Sequence, residues 1–154
     1  MIAISRALDE QIPEVHERFR EYADWLKVDL CFQGFEKELA GLPGDYALPR
    51  GRLLVASDGG YVIGCVALRP LGEHDCEMKR LYVAPAFRGQ GIARRLAQRI
   101  VEEANTIGYA RILLDTLDTM APARALYASL GFREIPAYYH NPIAGAVYLE
   151  KRLQ

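Results

Sequence analysis

Apolar residues recur along the chain at two different spacings, which separate predicted helices from predicted strands. In the first helical segment Val15, Phe19, Tyr22 and Leu26 follow one another at intervals of four, three and four, which places them on one face of a helix. Another such pattern stops just before Gly108, a residue type that commonly ends helices. Helices are predicted over residues 9–26, 32–40, 91–107 and 122–130.

Short runs of apolar and alternating residues predict strands between these helices. The first hairpin turns on the Ser-Asp-Gly-Gly sequence at 57–60, and Pro85 ends the third strand of the same meander. Strands are predicted over residues 1–8, 52–56, 61–68, 76–83, 109–115, 132–135 and 145–149. The order β-α-α-β-β-β-α-β-α-β-β predicts an α/β chain, in the mixed α+β sense, with one sheet covered by helices. Its 154 residues are expected to form a single domain, 1–154.

The charge balance and the cysteines limit the kinds of partner and the cellular compartment that we expect. Nineteen basic and twenty acidic residues give a formal charge of -1, which argues against a protein that coats nucleic acid or an anionic membrane. The longest apolar run, 61–68, is far too short to span a bilayer, and no leader pattern opens the chain. Cys31, Cys65 and Cys76 are odd in number and lack C-x-x-C spacing, which favours reduced thiols. A cytoplasmic protein is expected.

The segment 83–93 carries the clearest chemical signal, because two glycines lead from a strand into an amphipathic helix. Free N–H groups at a helix start suit phosphate, and Arg88 adds positive charge. A Walker A loop would require Gly-Lys-Ser/Thr after this turn, and a dinucleotide fingerprint would require glycine in place of Arg94. Neither pattern is present, so the segment predicts either a phosphate-binding loop of another type or a tight turn followed by a solvated arginine face.

The loop has the form R-x-x-G-x-A at 88–93, and Leu-Tyr-Ala-Ser-Leu-Gly-Phe follows at 126–132. With these motifs in the predicted strand order, the chain resembles the GNAT superfamily of N-acetyltransferases, clearly over residues 52–132. The resemblance implies a central mixed, mostly antiparallel sheet whose middle strands splay apart to admit acetyl-CoA as cosubstrate, without a metal. It implies direct attack of a primary amine on the acetyl group in a ternary complex.

The same resemblance assigns the residues that bind the cosubstrate. Backbone groups of one strand would hold the pantetheine arm and stabilise the oxyanion, and loop N–H groups would hold the pyrophosphate. The implied residues are Leu81, Tyr82 and Val83 on the strand, and Arg88, Gly89, Gln90, Gly91, Ile92 and Ala93 in the loop.

Three residues are candidates for proton transfer. Tyr127 matches the general acid that protonates the departing thiolate in the family. The amine must lose a proton before attack. Glu77 is the preferred candidate base, and Asp115 or a water is the alternative. The family often carries Asn where Met120 stands, so that cofactor contact is lost or made by backbone.

The sequence motifs define the acceptor substrate less clearly than the cosubstrate site. A small amine or an amino-acid-like molecule is favoured, and His140 has no second metal ligand at useful spacing. Residues 138–142 form a polar aromatic loop that is a candidate binding segment. Five residues in the first two helical segments are predicted to line an acceptor pocket or, alternatively, to pack in the core: Tyr22, Trp25, Asp29, Phe32 and Phe35. The alternative function is an acyl-CoA-binding regulatory or sensor module without turnover, and a homodimer is left open.

Overall fold

The computed structural model describes residues 1–27, 30 and 34–153, and the elements follow the predicted order. The strands are β1 (Ile2–Arg6), β2 (Arg52–Asp58), β3 (Tyr61–Leu71), β4 (Asp75–Val83), β5 (Arg111–Leu117), β6 (Arg133–Ile135) and β7 (Ala146–Arg152). The helices are α1 (Ile12–Leu26), α2 (Phe35–Ala40), α3 (Ile92–Ile107) and α4 (Ala121–Ser129). None of the described helices is long and apolar enough to cross a membrane.

The described strands form one seven-stranded sheet in the order β1-β2-β3-β4-β5-β7-β6. Neighbouring strands are antiparallel except β4 and β5, which run parallel. The predicted fold class, a mixed and mostly antiparallel sheet flanked by helices, is therefore confirmed. The last strand, β7, lies between β5 and β6, so the chain crosses over at its end.

Alternate residues of each strand face opposite sides of the sheet, and helices cover both sides. On β2, Leu54 and Ala56 pack in the cluster that contains α3 and α4, whereas Leu53 and Val55 pack in the cluster that contains α1 and α2. Because both faces are buried, β2 and β3 appear in the sequence as nearly continuous apolar runs.

Some element ends differ from the prediction. The strand predicted from residue 109 begins at Arg111, because the N–H groups of Gly108 and Tyr109 still donate to the carbonyl of Ala104 and close α3. A 3-10 turn at Asp9–Gln11 precedes α1. The helix predicted over 32–40 is described from Phe35 onward, and its first predicted residues lie outside the described part of the chain.

A β-bulge interrupts β4 near its carboxyl end. Val66 of β3 faces two residues of β4, Arg80 and Leu81, and Arg80 has a φ of 62°. The side chain of Arg80 is buried and pairs with Glu38 of α2. The bulge thus directs the last residues of β4 toward the site and links them to the short helix.

Two described cysteines are free thiols buried in the sheet. Burial raises the pKa of the Cys65 thiol to about 12, and burial likewise raises the pKa of Cys76. Both thiols therefore stay protonated at neutral pH, as inert core side chains do. Cys31 lies outside the described residues.

Candidate active site

A cleft opens where β4 and β5 diverge. The two strands pair through residues 75–77 and 111–113, and beyond that ladder 78–83 and 115–117 line a cavity of about 390 Å³. The edges that face each other across the cleft donate and accept no ladder hydrogen bonds to one another. Such free strand edges can bind an extended molecule through its polar groups.

The predicted phosphate loop borders this cleft. Gly91 caps α3 with a φ of 75°, and Gly89 before it has a φ of 80°. A Cβ added at either glycine would meet nothing within 4 Å, so the backbone leaves open space there. The first N–H groups of α3 have no partner inside the helix and sit at the positive end of its dipole. The loop therefore fits a pyrophosphate.

Eight of the nine implied cosubstrate-binding residues line the cleft. They are Leu81, Tyr82, Val83, Arg88, Gly89, Gly91, Ile92 and Ala93. Gln90 is exposed and does not line it.

Arg88 braces the loop against β4 and α1. Its Nε donates to the carbonyl oxygen of Val83 at 2.9 Å. Its guanidinium lies 4.7 Å from the ring centre of Trp25 and 5.4 Å from that of Tyr82. These contacts are cation-π interactions that fix the arginine and draw the end of α1 to the cleft.

Tyr127 projects from α4 into the cleft. Its ring is buried and packs on Phe132 at a centroid distance of 5.7 Å, whereas its hydroxyl makes no hydrogen bond with any described residue. Burial, with smaller effects from Tyr22 and Asp115, raises the pKa of the Tyr127 phenol above its ordinary value. The phenol is thus a protonated, unpartnered donor.

Asp115 lies on the opposite strand and also lines the cleft. Its Oδ2 accepts hydrogen bonds from the Tyr139 hydroxyl at 2.8 Å and the Asn141 amide at 3.1 Å. Among the described residues, none donates to Oδ1. The loop that follows β6 therefore holds Asp115 in place and leaves one oxygen of the carboxylate for a ligand.

Glu77 has a different environment. Its side chain is buried and does not line the cleft. Arg69 contacts Oε1 with Nε at 2.9 Å and Nη2 at 2.8 Å, and the Tyr138 hydroxyl donates to Oε2 at 2.6 Å. Burial, followed by the charge of Glu77, raises the pKa of Tyr138. Both oxygens of Glu77 are therefore engaged.

The residues predicted for an acceptor pocket separate into groups. Tyr22 and Trp25 line the cleft, and Phe35 is a core residue beneath the Arg80 guanidinium. Asp29 and Phe32 lie outside the described residues. Met120 lines the cleft at the start of α4, where its carbonyl accepts from the N–H of Arg124.

Lys79 is a cleft residue that the motifs did not single out. Its side chain is 4% exposed, and its ammonium lies 3.9 Å from Oε1 of Glu77. The period of two along β4 could have found it, because it shares a strand face with Glu77.

Comparisons with known proteins agree with this geometry. The model of the acetyltransferase (GNAT) family matches residues 9–132. An uncharacterized N-acetyltransferase of Schizosaccharomyces pombe is 42% identical over 144 residues, covering 92% of this chain and 88% of its own.

Two solved structures share the fold. A GNAT-family acetyltransferase of Staphylococcus aureus superposes with a TM-score of 0.84 at 19% identity, over 100% of both chains. An acetyltransferase of Salmonella typhimurium, solved with its cofactor acetyl-CoA, has a TM-score of 0.75 at 21% identity, over 100% of this chain and 95% of its own. The family model and the Schizosaccharomyces pombe relative show that the chain belongs to the acetyltransferase (GNAT) family and is an acyltransferase.

Proposed function

We propose that the protein transfers an acetyl group from acetyl-CoA to the primary amine of a small or amino-acid-like acceptor, by direct attack in a ternary complex. The observation that carries this proposal is the placement of Asp115 and Tyr127 in one cleft. A carboxylate with a free oxygen and a protonated phenol without a partner are the two groups that an amine acyl transfer requires.

Acetyl-CoA supplies the activated acetyl group, and the residues of the loop and of β4 would hold it. The N–H groups at the start of α3, beyond Gly91, suit its pyrophosphate. The free edge of β4 over 81–83 suits its pantetheine arm, and an N–H there can donate to the carbonyl oxygen on which charge develops. Open space beside Gly89 and Gly91 supports this assignment.

Asp115 is the better placed of the two candidate bases. Its free Oδ1 is in the cleft, whereas both oxygens of Glu77 are engaged by Arg69 and Tyr138. Oxygens that already accept from a guanidinium and a phenol are less available to an amine in the cleft. Asp115 would accept the proton of the amine, Tyr127 would protonate the thiolate, and Glu77 would pair with Arg69 behind the cleft.

The charge balance supports a cytoplasmic protein whose partners are acetyl-CoA and the acceptor, with no nucleic acid and no membrane. A homodimer stays open. A module that binds acyl-CoA without turnover would need neither Asp115 nor Tyr127 in the cleft, so their presence favours the enzyme.

Calorimetric titration with acetyl-CoA, desulfo-CoA and NAD, followed by thiol release with a panel of amines, tests the proposal. We expect binding of both CoA compounds, no binding of NAD, and thiol release with at least one amine. Binding without thiol release would favour the sensor function. Absence of CoA binding would contradict the assignment of the loop.

A further inference from the structure

Lys79 brings a positive charge to the wall of the cleft. It lies two residues after Glu77 on β4, beyond the last residue that pairs with β5. It therefore shares a face with Glu77, and it pairs across β3 with Ala67, which packs in the cluster of α1 and α2. The ammonium thus approaches the cleft from the side opposite to α4 and Tyr127.

The ammonium of Lys79 lies at the cleft without a close partner among the described residues. The side chain is 4% exposed, and the described part of the chain offers it no hydrogen bond. Its ion-pair contact, at 3.9 Å from Glu77, is longer than a hydrogen bond. Burial lowers the pKa of Lys79, which reflects the cost of keeping the charge there. An ammonium has three donors, and buried lysines are normally paired.

Glu77 compensates Lys79 only in part, because it lies closer to Arg69. The Arg69 guanidinium contacts Glu77 at 2.8 Å, more than 1 Å closer than the Lys79 ammonium. These three side chains therefore carry two positive charges and one negative charge. The neighbouring Arg80 adds no surplus, because Glu38 binds it through two hydrogen bonds. The β4 wall of the cleft thus has one cation without a hydrogen-bonded counter-ion among the described residues.

The β5 wall carries the opposite charge. Asp115 presents its free Oδ1 to the same cleft, and its other oxygen is held by the Tyr139 hydroxyl and the Asn141 amide. These two partners are neutral, so the carboxylate has no hydrogen-bonded counter-ion among the described residues, and its charge acts on Lys79 across the cleft. The cleft therefore has a cation on one wall and an anion on the other, which is complementary to a molecule that carries both an ammonium and a carboxylate.

We propose that the acceptor is a small primary amine that also bears a carboxylate, such as a free amino acid, and that Lys79 binds this carboxylate while the amine faces Asp115. The inference rests on the proposed acetyltransferase function and makes its acceptor class specific. Lys79 acts as a specificity residue: it pairs with the acceptor and takes no part in proton transfer. A carboxylate in the cleft would supply the Lys79 ammonium with the charge-assisted hydrogen bonds that it lacks.

The test compares acceptors with and without the carboxylate, and the Lys79 variants control for the change in amine pKa that accompanies its removal. Thiol release from acetyl-CoA is measured with amino acids and with the amines obtained by removing their carboxylate: alanine and ethylamine, phenylalanine and phenethylamine, lysine and cadaverine. The wild-type protein is expected to favour the carboxylate-bearing member of a pair by roughly 10- to 100-fold in kcat/KM. Equal or better rates with the plain amines would overturn the inference and leave the acetyltransferase function intact.

The Lys79→Met variant keeps the length and burial of the side chain and removes its charge. It is expected to lose roughly 10- to 100-fold in kcat/KM with the amino acids, mainly through a higher KM, and to act on the plain amines as the wild type does. The Lys79→Arg variant should recover part of this loss. Equal losses with both kinds of acceptor would mean that Lys79 serves the acetyl group or the fold, which would contradict the inference.

Two controls separate the possible failures. Lys37→Met removes an exposed lysine of α2 and should change neither acceptor preference nor melting temperature. Affinity for acetyl-CoA, measured by calorimetry, should be unchanged in Lys79→Met. If this variant does not fold, the preference of the wild type within each acceptor pair decides the matter. If no amine of either kind releases thiol, the proposed function fails, and the acceptor assignment fails with it.

Discussion

The guanidinium of Arg80 forms a two-pronged ion pair with the carboxylate of Glu38, with Nε to Oε2 and Nη2 to Oε1 both at 2.9 Å. Arg80 is the bulge residue of β4, and the Arg80 side chain is 2% exposed. Its guanidinium also lies 5.2 Å from the ring centre of Phe35. One contact therefore joins α2 to the strand segment that lines the cleft.

Removing one partner of this pair should destabilise the protein strongly. Glu38→Gln leaves the buried guanidinium without its counter-charge, which should lower the free energy of unfolding by about 3 kcal/mol. Glu36→Gln is the matched control, because Glu36 lies on the same helix and pairs with Arg20 on the surface. That change should cost less than about 0.5 kcal/mol. Urea unfolding measures the free energy of unfolding of both variants. Similar losses would show that the buried pair contributes no more to stability than the surface pair.

Tyr127→Phe should lower turnover and preserve cosubstrate binding. The phenol hydroxyl makes no hydrogen bond with the described residues, so its removal leaves no protein group unsatisfied. We expect kcat to fall by about 100-fold, with affinity for acetyl-CoA unchanged in calorimetry. Equal losses in kcat and in affinity would assign Tyr127 to binding.

The pH dependence of the wild type provides a second test of Tyr127. A general acid must be protonated, and burial raises the pKa of this phenol above its ordinary value of about 10. The proton is therefore retained to higher pH, and Tyr127 should cause no fall in kcat between about pH 7 and about pH 10. A falling limb within that range that disappears in Tyr127→Phe would contradict the raised pKa.

The two carboxylates should separate into different roles. Asp115→Asn retains an oxygen that can accept from Tyr139 and removes the basic group, so kcat should fall by about 100-fold and the melting temperature should change little. Glu77→Gln should mainly lower the melting temperature, since Arg69 would lose its counter-charge. Measurements of kcat and of the melting temperature of both variants test this assignment of roles. The reverse outcome would return the role of base to Glu77.

The loop assignment predicts a specific effect at Gly91. Gly91→Val places a side chain in the space that the pyrophosphate needs and should reduce acetyl-CoA affinity by more than about 100-fold. Gly72→Val is the control, because Gly72 has a φ of 79° and equally open surroundings in the turn between β3 and β4. Both variants should lose similar stability through strain at positive φ, about 1–2 kcal/mol. Comparable loss of binding in the control would implicate strain instead of the phosphate site.

Local patterns were sufficient for the element order and for the loop. The spacing of apolar residues depends on helix and strand geometry alone, and the predicted order is that of the structure. The two loop glycines have the positive φ values that this residue type tolerates. Helix spacing and turn glycines depend on residues that are close together in the chain. They can therefore be predicted from a single sequence.

The charge environment of the site depended on contacts between distant residues. Glu77 is 8 residues from Arg69 and 61 from Tyr138, and no local pattern indicated that both would engage it. The placement of β7 between β5 and β6 likewise brings the loop that carries Tyr139 to Asp115. The sequence by itself determined the elements, the glycine-rich turn that begins α3, and the identity of the candidate acids. The tertiary structure decided which carboxylate keeps a free oxygen and where Lys79 lies, because the partners of a charge are set by which strands become neighbours.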